Sequence, residues 1–243
     1  MLLTVDVGNT FVKVAVFEEV ELVDKFIFEL ENAKSNFETI FTTYPQASKL
    51  VYVSVATIES ALITWLQKKI AVCQLSHQSA FPFVNKYQTP ETLGIDRMIL
   101  AAGAVLVFPA KNCLVIDAGT CITYDLVTSN GVYEGGAISP GLALRYKALH
   151  AYTAKLPLLE ITAPEKEIGK STNESIHLGV VQGVLNEVEG FISKYSVNYQ
   201  DLTVILTGGD ANFLANRLKS TIFADENFLL KSLQRLYIYS LKK

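Results

Sequence analysis

Two stretches of this chain repeat one pattern, and that repetition constrains the fold more than any other feature. Leu2 to Val7 is an apolar run that ends in Asp6-Val7-Gly8, and Val12 to Phe17 and Leu22 to Phe28 follow as further strand candidates. Much later, CLVIDAGTCITYDLVTSNGVYEGGAI begins at Cys113 and runs in the same order. An apolar run enters Asp117-Ala118-Gly119, a second spans Ile122 to Val127, and a third follows a Ser129-Asn130-Gly131 turn. Asn-Gly between β-rich runs is a strong hairpin signal. Repetition decides architecture before local detail does. The expectation is two similar halves, each opening strand, Asp-x-Gly turn, strand, turn, strand.

Between and after these blocks the chain alternates. Ser35 to Tyr44 reads as helix, Leu50 to Val55 as a strand, and Glu59 to Ile70 as a helix with Leu62, Ile63, Leu66 and Ile70 at helical spacing. His77 to Leu93 is irregular, and Gly94 to Phe108 is a buried-looking helix. Leu142 to Thr153, Ser175 to Tyr195, Asn212 to Lys219 and Phe228 to Tyr239 read as helices, with a strand from Leu202 to Leu206 that ends in TGGD. Alternating strands and helices argue an α/β fold. The chain of 243 residues, half of them hydrophobic, can fill two cores. The break near Pro109 to Asn112 divides it into 1–110 and 111–243.

Charge and composition exclude several classes. The formal net charge is −3 and no basic block stands out, which argues against a nucleic-acid partner. Three cysteines without a CxxC, and three histidines without ligand spacing, point to neither a disulfide framework nor a thiolate or imidazole metal site. Cys121 reads as a small buried residue. The longest apolar stretch, Met98 to Phe108, is short of the roughly 20 residues that span a bilayer, so no membrane partner is expected. The apolar start, broken by Asp6 and without a basic leader, reads as a strand and not a secretion signal. A cytoplasmic location is expected.

The polarity at the strand ends is the chemical clue. In DVGNTFVK, Gly8 permits positive φ and close backbone approach, Asn9 and Thr10 add hydrogen bonds, and Lys13 adds a cation. Asp6 would repel a bare phosphate but suits one that carries Mg²⁺. Alone, the stretch reads more readily as a structural hairpin. DAGTCITYD supplies Asp117, Thr120, Thr123 and Asp125 at the matching turn, and Thr207 to Asp210 forms a third glycine–acid turn before a helix. Three such turns suggest a nucleotide in a cleft between the halves. Gly169-Lys170-Ser171 imitates the end of a phosphate-binding P-loop, but position 164 is proline where that motif needs glycine, and no strand precedes it. Asp96 in Gly94-Ile95-Asp96-Arg97 is either a favourable first-turn acid or a carboxylate base beside an arginine clamp.

Taken together, these motifs resemble type III pantothenate kinase, within the acetate and sugar kinase/Hsp70/actin superfamily. The resemblance spans nearly the whole chain: DxGNTxxxK at Asp6 to Lys13, YxxPxxLGxDR at Tyr87 to Arg97, DxGTxxTxD at Asp117 to Asp125, GGxIxPG at Gly135 to Gly141, TxxSIxxG at Thr172 to Gly179, and TGGD. It implies two ribonuclease H-like, actin-like halves, each a mixed sheet with helices, and ATP-dependent phosphorylation of pantothenate in coenzyme A biosynthesis. Asp6, Val7, Gly8, Asn9, Thr10, Phe11, Val12 and Lys13, with Thr120, would bind ATP. Asp6 would also meet Mg²⁺, directly or through water, and Asp117 would hold a monovalent cation, K⁺ or NH₄⁺. Tyr87, Gly94, Ile95, Asp96, Arg97 and Thr172 would bind pantothenate, with Asp96 as catalytic base, in a pocket that the family builds at a homodimer interface. Ser232 departs from the glycine that relatives often carry, which questions the close packing of the last helix. The rival readings are another small-molecule kinase of the superfamily, which Gly94-Ile95-Asp96-Arg97 disfavours, and a non-catalytic nucleotide-binding regulator, which the presence of both Asp96 and Arg97 disfavours.

Overall fold

A computed structural model describes residues 1–8 and 11–242. The chain forms two compact units: Met1–Val107 together with the chain from Asn227 on, and Phe108–Glu226. The first unit contains β1 (Leu2–Val7), β2 (Phe11–Glu18), β3 (Glu21–Glu29), α1 (Ala33–Thr43), β4 (Lys49–Ser54), α2 (Ser60–Gln67), β5 (Ala71–Gln74), a short β6 (Val84–Asn85) and α3 (Ile95–Val107). Its main sheet has the order β3-β2-β1-β4-β5, with β1 antiparallel to β2 and parallel to β4. The second unit contains β7 (Cys113–Ala118), β8 (Cys121–Val127), β9 (Val132–Pro140), α4 (Leu142–Ala151), α5 (Thr172–His177), α6 (Gly183–Asn198), β10 (Thr203–Thr207), α7 (Ala211–Ala215) and β11 (Phe223–Ala224). Its strands run β11-β10-β7-β8-β9, with β7 antiparallel to β8 and parallel to β10. Strand for strand this is the same mixed sheet, the ribonuclease H-like arrangement that the repeated sequence pattern requires.

Alternation along the central strands explains the layers. Leu3, Val5 and Val7 of β1 face one side, where Phe37 and Ile40 of α1 and Leu66 of α2 close the core. Successive strand residues face opposite sides, so Thr4 and Asp6 share the other face. In the second unit Leu114, Ile116 and Ala118 of β7 pack with Leu142 and Tyr146 of α4 and Val184 and Val188 of α6. A π-helical turn, Leu178–Gln182, links α5 to α6. The Gly131 turn forms as expected, with φ of 70°.

The last helix departs from the division drawn at 110/111. Helix α8 (Phe228–Ser240) packs on α3 and β1 of the first unit. Its apolar residues Phe228, Leu230, Leu233 and Leu236 are buried there. The packing at Ser232 is close after all. Ser232 Oγ donates to the Phe228 carbonyl at 2.6 Å, and it lies against Gly103 of α3, where a Cβ would collide with it. The residue without a side chain at this contact is Gly103, on the facing helix. Among the described residues, no helix is long and apolar enough to cross a membrane.

Candidate active site

In the first unit Asp6 sits near the end of β1, 7% exposed, directly across from Lys13 of β2. Burial pushes its carboxyl up to about 6; Lys13 acts downward and Asp96 acts upward. Asp96 is thus within electrostatic reach of Asp6 in this unit. Gly8 closes the turn by donating its N–H to the Phe11 carbonyl at 3.0 Å. Of the two uses open to a glycine here, close approach is the one seen: a Cβ would stand 3.3 Å from that carbonyl. The side chains of Val7 and Val12 belong to the core, whereas Phe11 is 45% exposed. Asn9 and Thr10 lie outside the described residues.

The segment before α3 gathers most of the expected substrate residues. Asp96 is in the first turn and its Oδ1 accepts the Arg97 N–H at 2.8 Å. That carboxylate folds back over Gly94: a Cβ at 94 would come within 2.5 Å of Oδ1. The glycine is therefore required by the pose of Asp96. Arg97 is buried, with its guanidinium 5.7 Å from the centre of the Tyr87 ring, a cation–π distance. Ile95 turns its side chain into the core, which leaves its backbone for any ligand. His77 Nε2 lies 2.7 Å from the Leu93 carbonyl and pins the chain just before Gly94.

In the second unit Asp117 occupies the matching strand end, between Thr123 of β8 and Thr207 of β10 in register. Residues directly opposite in neighbouring strands share a face. Among the described residues the buried hydroxyls of Thr123 and Thr207 have no hydrogen-bond partner; the third such hydroxyl, Thr4, is on β1. Gly208 adopts φ of 95°, and a Cβ there would collide with Asp117 Oδ1 and the Ala118 carbonyl. Asp210 N–H donates to the same Ala118 carbonyl at 2.9 Å, so the TGGD turn is bound to the end of β7. Gly141 lies on the carbonyls of Gly119 and Thr120, which explains the glycine ending the Gly135–Gly141 motif. Thr120 is exposed at this turn. Cys121 is exposed as well, not buried: it begins β8 at the turn, before the strand enters the core. Thr207 and Gly208, singled out in the sequence only as part of the TGGD turn, are brought to the strand end that carries Asp117. No group of three or more His, Cys, Asp and Glu gathers as a metal cluster among the described residues.

Thr172 begins α5 and borders a groove of about 1150 Å³ that also involves Arg145, Leu149, Tyr152, Lys170 and Ser175. Ser171 caps the helix by accepting the Glu174 N–H, and Glu174 returns by accepting the Lys170 N–H at 2.7 Å and pairing with Lys166. The Gly-Lys-Ser imitation of a P-loop is thus a helix cap. Beside the groove, Arg145 bonds Glu187 at 2.6 Å, and Tyr124 donates to Glu187 at 2.8 Å.

Comparison with known proteins agrees with these motifs. A family model described as type III pantothenate kinase matches residues 2–194. The chain is 54% identical to the type III pantothenate kinase of Flavobacterium johnsoniae over 241 residues, 99% of each chain. Among solved structures, a Baf family protein from Campylobacter jejuni aligns with a TM-score of 0.65 at 21% identity, covering 99% of this chain and all of that one. MreB 5 of Spiroplasma citri, bound to AMPPNP, aligns with a TM-score of 0.51 at 11% identity, covering 99% and 96%. The two structural likenesses are of fold, and they make it the actin-like fold of two related halves.

Proposed function

The chain belongs to the type III pantothenate kinase family, and on that premise we propose which of its residues carry the family's reaction. It phosphorylates pantothenate with ATP, in coenzyme A biosynthesis. The primary hydroxyl oxygen of pantothenate forms a bond to the γ-phosphorus, the bond from that phosphorus to the β–γ bridging oxygen breaks, and ADP leaves. Such transfer depends on positioning and charge neutralisation.

Asp96 takes the hydroxyl proton. Its Oδ1 is engaged by the helix N-terminus, and a carboxylate has a second oxygen to offer. Arg97, held against Tyr87, pairs with the pantothenate carboxylate, and Gly94, Ile95 and Thr172 complete the contacts. Lys13 and the amides of the turn from Asp6 to Lys13, including Asn9 and Thr10, hold the ATP phosphates, with Thr120 as a further contact. A buried carboxylate whose proton is held too tightly suits a divalent cation, so Asp6 fits Mg²⁺, directly or through water. When bound, Mg²⁺ offsets phosphate charge. Asp117, flanked by two hydroxyls that lack partners, fits a monovalent cation, K⁺ or NH₄⁺. The open groove at Thr172, with Tyr152 89% exposed beside it, supports a homodimer as the working form. The expected location is the cytoplasm.

The observation that carries the assignment is the electrostatic effect of Asp96 on Asp6. It supports reading the proton acceptor and the phosphate-side carboxylate as parts of one site. Asp96→Asn is expected to lower kcat for pantothenate-dependent ADP release by about 10²–10⁴-fold, while ATP affinity changes only a few-fold. Unchanged turnover would remove Asp96 from the role.

A further inference from the structure

In the second unit the turn at Gly119 and Thr120 is packed against the end of β9. Cys121, the first residue of β8, pairs with Pro140, the last of β9. The Gly141 N–H donates to the Thr120 carbonyl at 3.0 Å. A Cβ at Gly141 would come within 2.1 Å of the Gly119 carbonyl and 2.7 Å of the Thr120 carbonyl. The corner Ser139-Pro140-Gly141 is thus one wall of the turn. Arg145, one helical turn into α4, fastens that corner. Its backbone N–H donates to the Gly141 carbonyl at 3.0 Å, its Nε to the Pro140 carbonyl at 2.8 Å, and its Nη2 to Ser139 Oγ at 2.7 Å. The same Nη2 meets Glu187 of α6 at 2.6 Å, and the buried Tyr124 of β8 donates to the other Glu187 oxygen at 2.8 Å. Burial acts upward on the Glu187 carboxyl, but the bonds from Arg145, Ser139 and Tyr124 hold it below its ordinary value. Glu187 therefore stays charged and keeps the guanidinium in place.

We propose that Arg145 is a positioning residue for ATP: it sets the Gly119–Thr120 turn through the Ser139–Gly141 corner and touches neither substrate itself. This role rests on the reading of Thr120 as an ATP contact. Charge alone does not call for an arginine here. Glu187 needs only a positive partner, which a lysine would supply, whereas a planar guanidinium directs separate donors at Pro140, Ser139 and Glu187 together. The fork therefore answers to the geometry of the corner. Arg145 also borders the groove at Thr172, a place from which a cation could meet the pantothenate carboxylate. Its Nε and Nη2 are engaged by the corner and by Glu187, which favours the nucleotide side.

The test compares Arg145→Lys, Thr120→Ala, their double variant and Glu187→Gln with the wild-type chain. The readouts are the dissociation constant of a non-hydrolysable ATP analogue with Mg²⁺, the KM for pantothenate, and the melting temperature. Arg145→Lys keeps the charge opposite Glu187 and loses the fork. It should melt within a few degrees of the wild type and bind the analogue about tenfold more weakly, while its KM for pantothenate moves by less than about twofold. Glu187→Gln releases the guanidinium and should weaken the analogue by about threefold. In the double variant the loss should be no greater than that of Thr120→Ala alone, because both changes act at one turn. Wild-type analogue affinity in Arg145→Lys and Glu187→Gln, with Thr120→Ala weakened, would overturn the role of Arg145 and leave the Thr120 reading standing. Wild-type affinity in Thr120→Ala would overturn that reading, and the role of Arg145 with it. A raised pantothenate KM in place of the nucleotide effect would make Arg145 a groove contact and overturn the proposal, and so would losses that add in the double variant.

Discussion

At Asp6 burial and charge oppose each other, and burial wins. The folded chain holds this carboxyl at about 6, against 3.8 for an ordinary aspartate. Because the folded state binds the proton more tightly, the contribution of Asp6 to stability is present below about pH 4 and lost as pH rises through about 6. At neutral pH the buried charge opposes folding by about 3 kcal/mol as an upper value. Asp6→Asn is therefore expected to stabilise the chain at about pH 7.5 by about 1–3 kcal/mol, with a much smaller gain at about pH 4. The same variant should lose affinity for MgATP. Denaturant unfolding at the two pH values measures the first effect and nucleotide titration the second; a stability difference independent of pH would contradict the account. A carboxylate that costs stability unless a cation arrives is the mark of a group kept for its ligand. Arg97 and Asp96 have local reasons to be where they are: one stacks on Tyr87, the other caps α3. The structural and functional readings of those residues are thus compatible.

Between elements, the closest contact is α3 against α8, where Gly103 receives Ser232. Gly103→Ala would drive a methyl into Ser232 Oγ and is expected to destabilise the chain by about 1–3 kcal/mol through overpacking. Adding Ser232→Gly should recover part of that loss, less the roughly 0.5–1 kcal/mol that glycine costs within a helix. Additive single losses in a double-mutant cycle would show that the two positions do not meet. This contact also marks where the sequence stopped being legible. Strands, turns and the helices over 95–107 and 228–240 were readable because their signals are local: alternation, Asn-Gly, apolar runs. Residues from Tyr87 to Arg97, and the paired Asp-x-Gly turns, were readable because their chemistry is concentrated in short motifs. Ser232 looked like a loss of close packing because its compensating glycine lies in a different helix. Thr123 and Thr207 were legible only as members of their turns, since a hydroxyl shows that it lacks a partner only when its surroundings are folded around it. Cys121 was misread for the same reason, as the residue that opens β8 before the strand enters the core.

At the scale of the whole molecule, the chain leaves the first unit at Val107 and returns to it at Asn227. The second unit is continuous and the first is not. A cut at 110/111 would therefore not yield two foldable halves. The fragment 1–110 lacks α8, and with it the burial of Phe228, Leu230, Leu233 and Leu236. At about 1.5–3 kcal/mol for each such side chain, the missing burial is about 6–12 kcal/mol, comparable with the entire stability of a domain, about 5–15 kcal/mol. The apolar faces of α3 and β1 that α8 covers would be open to water. Residues 1–110 alone are expected to show no cooperative thermal transition. The same fragment, joined through a flexible linker of about ten Gly and Ser residues to residues 227–243, should regain one, with the near-ultraviolet signal of packed tyrosines. Gly103→Ala should weaken that restored transition, since Gly103 and Ser232 both belong to the first unit. A cooperative melt of 1–110 by itself would show that α8 is an ornament of the first unit and not a layer of its core.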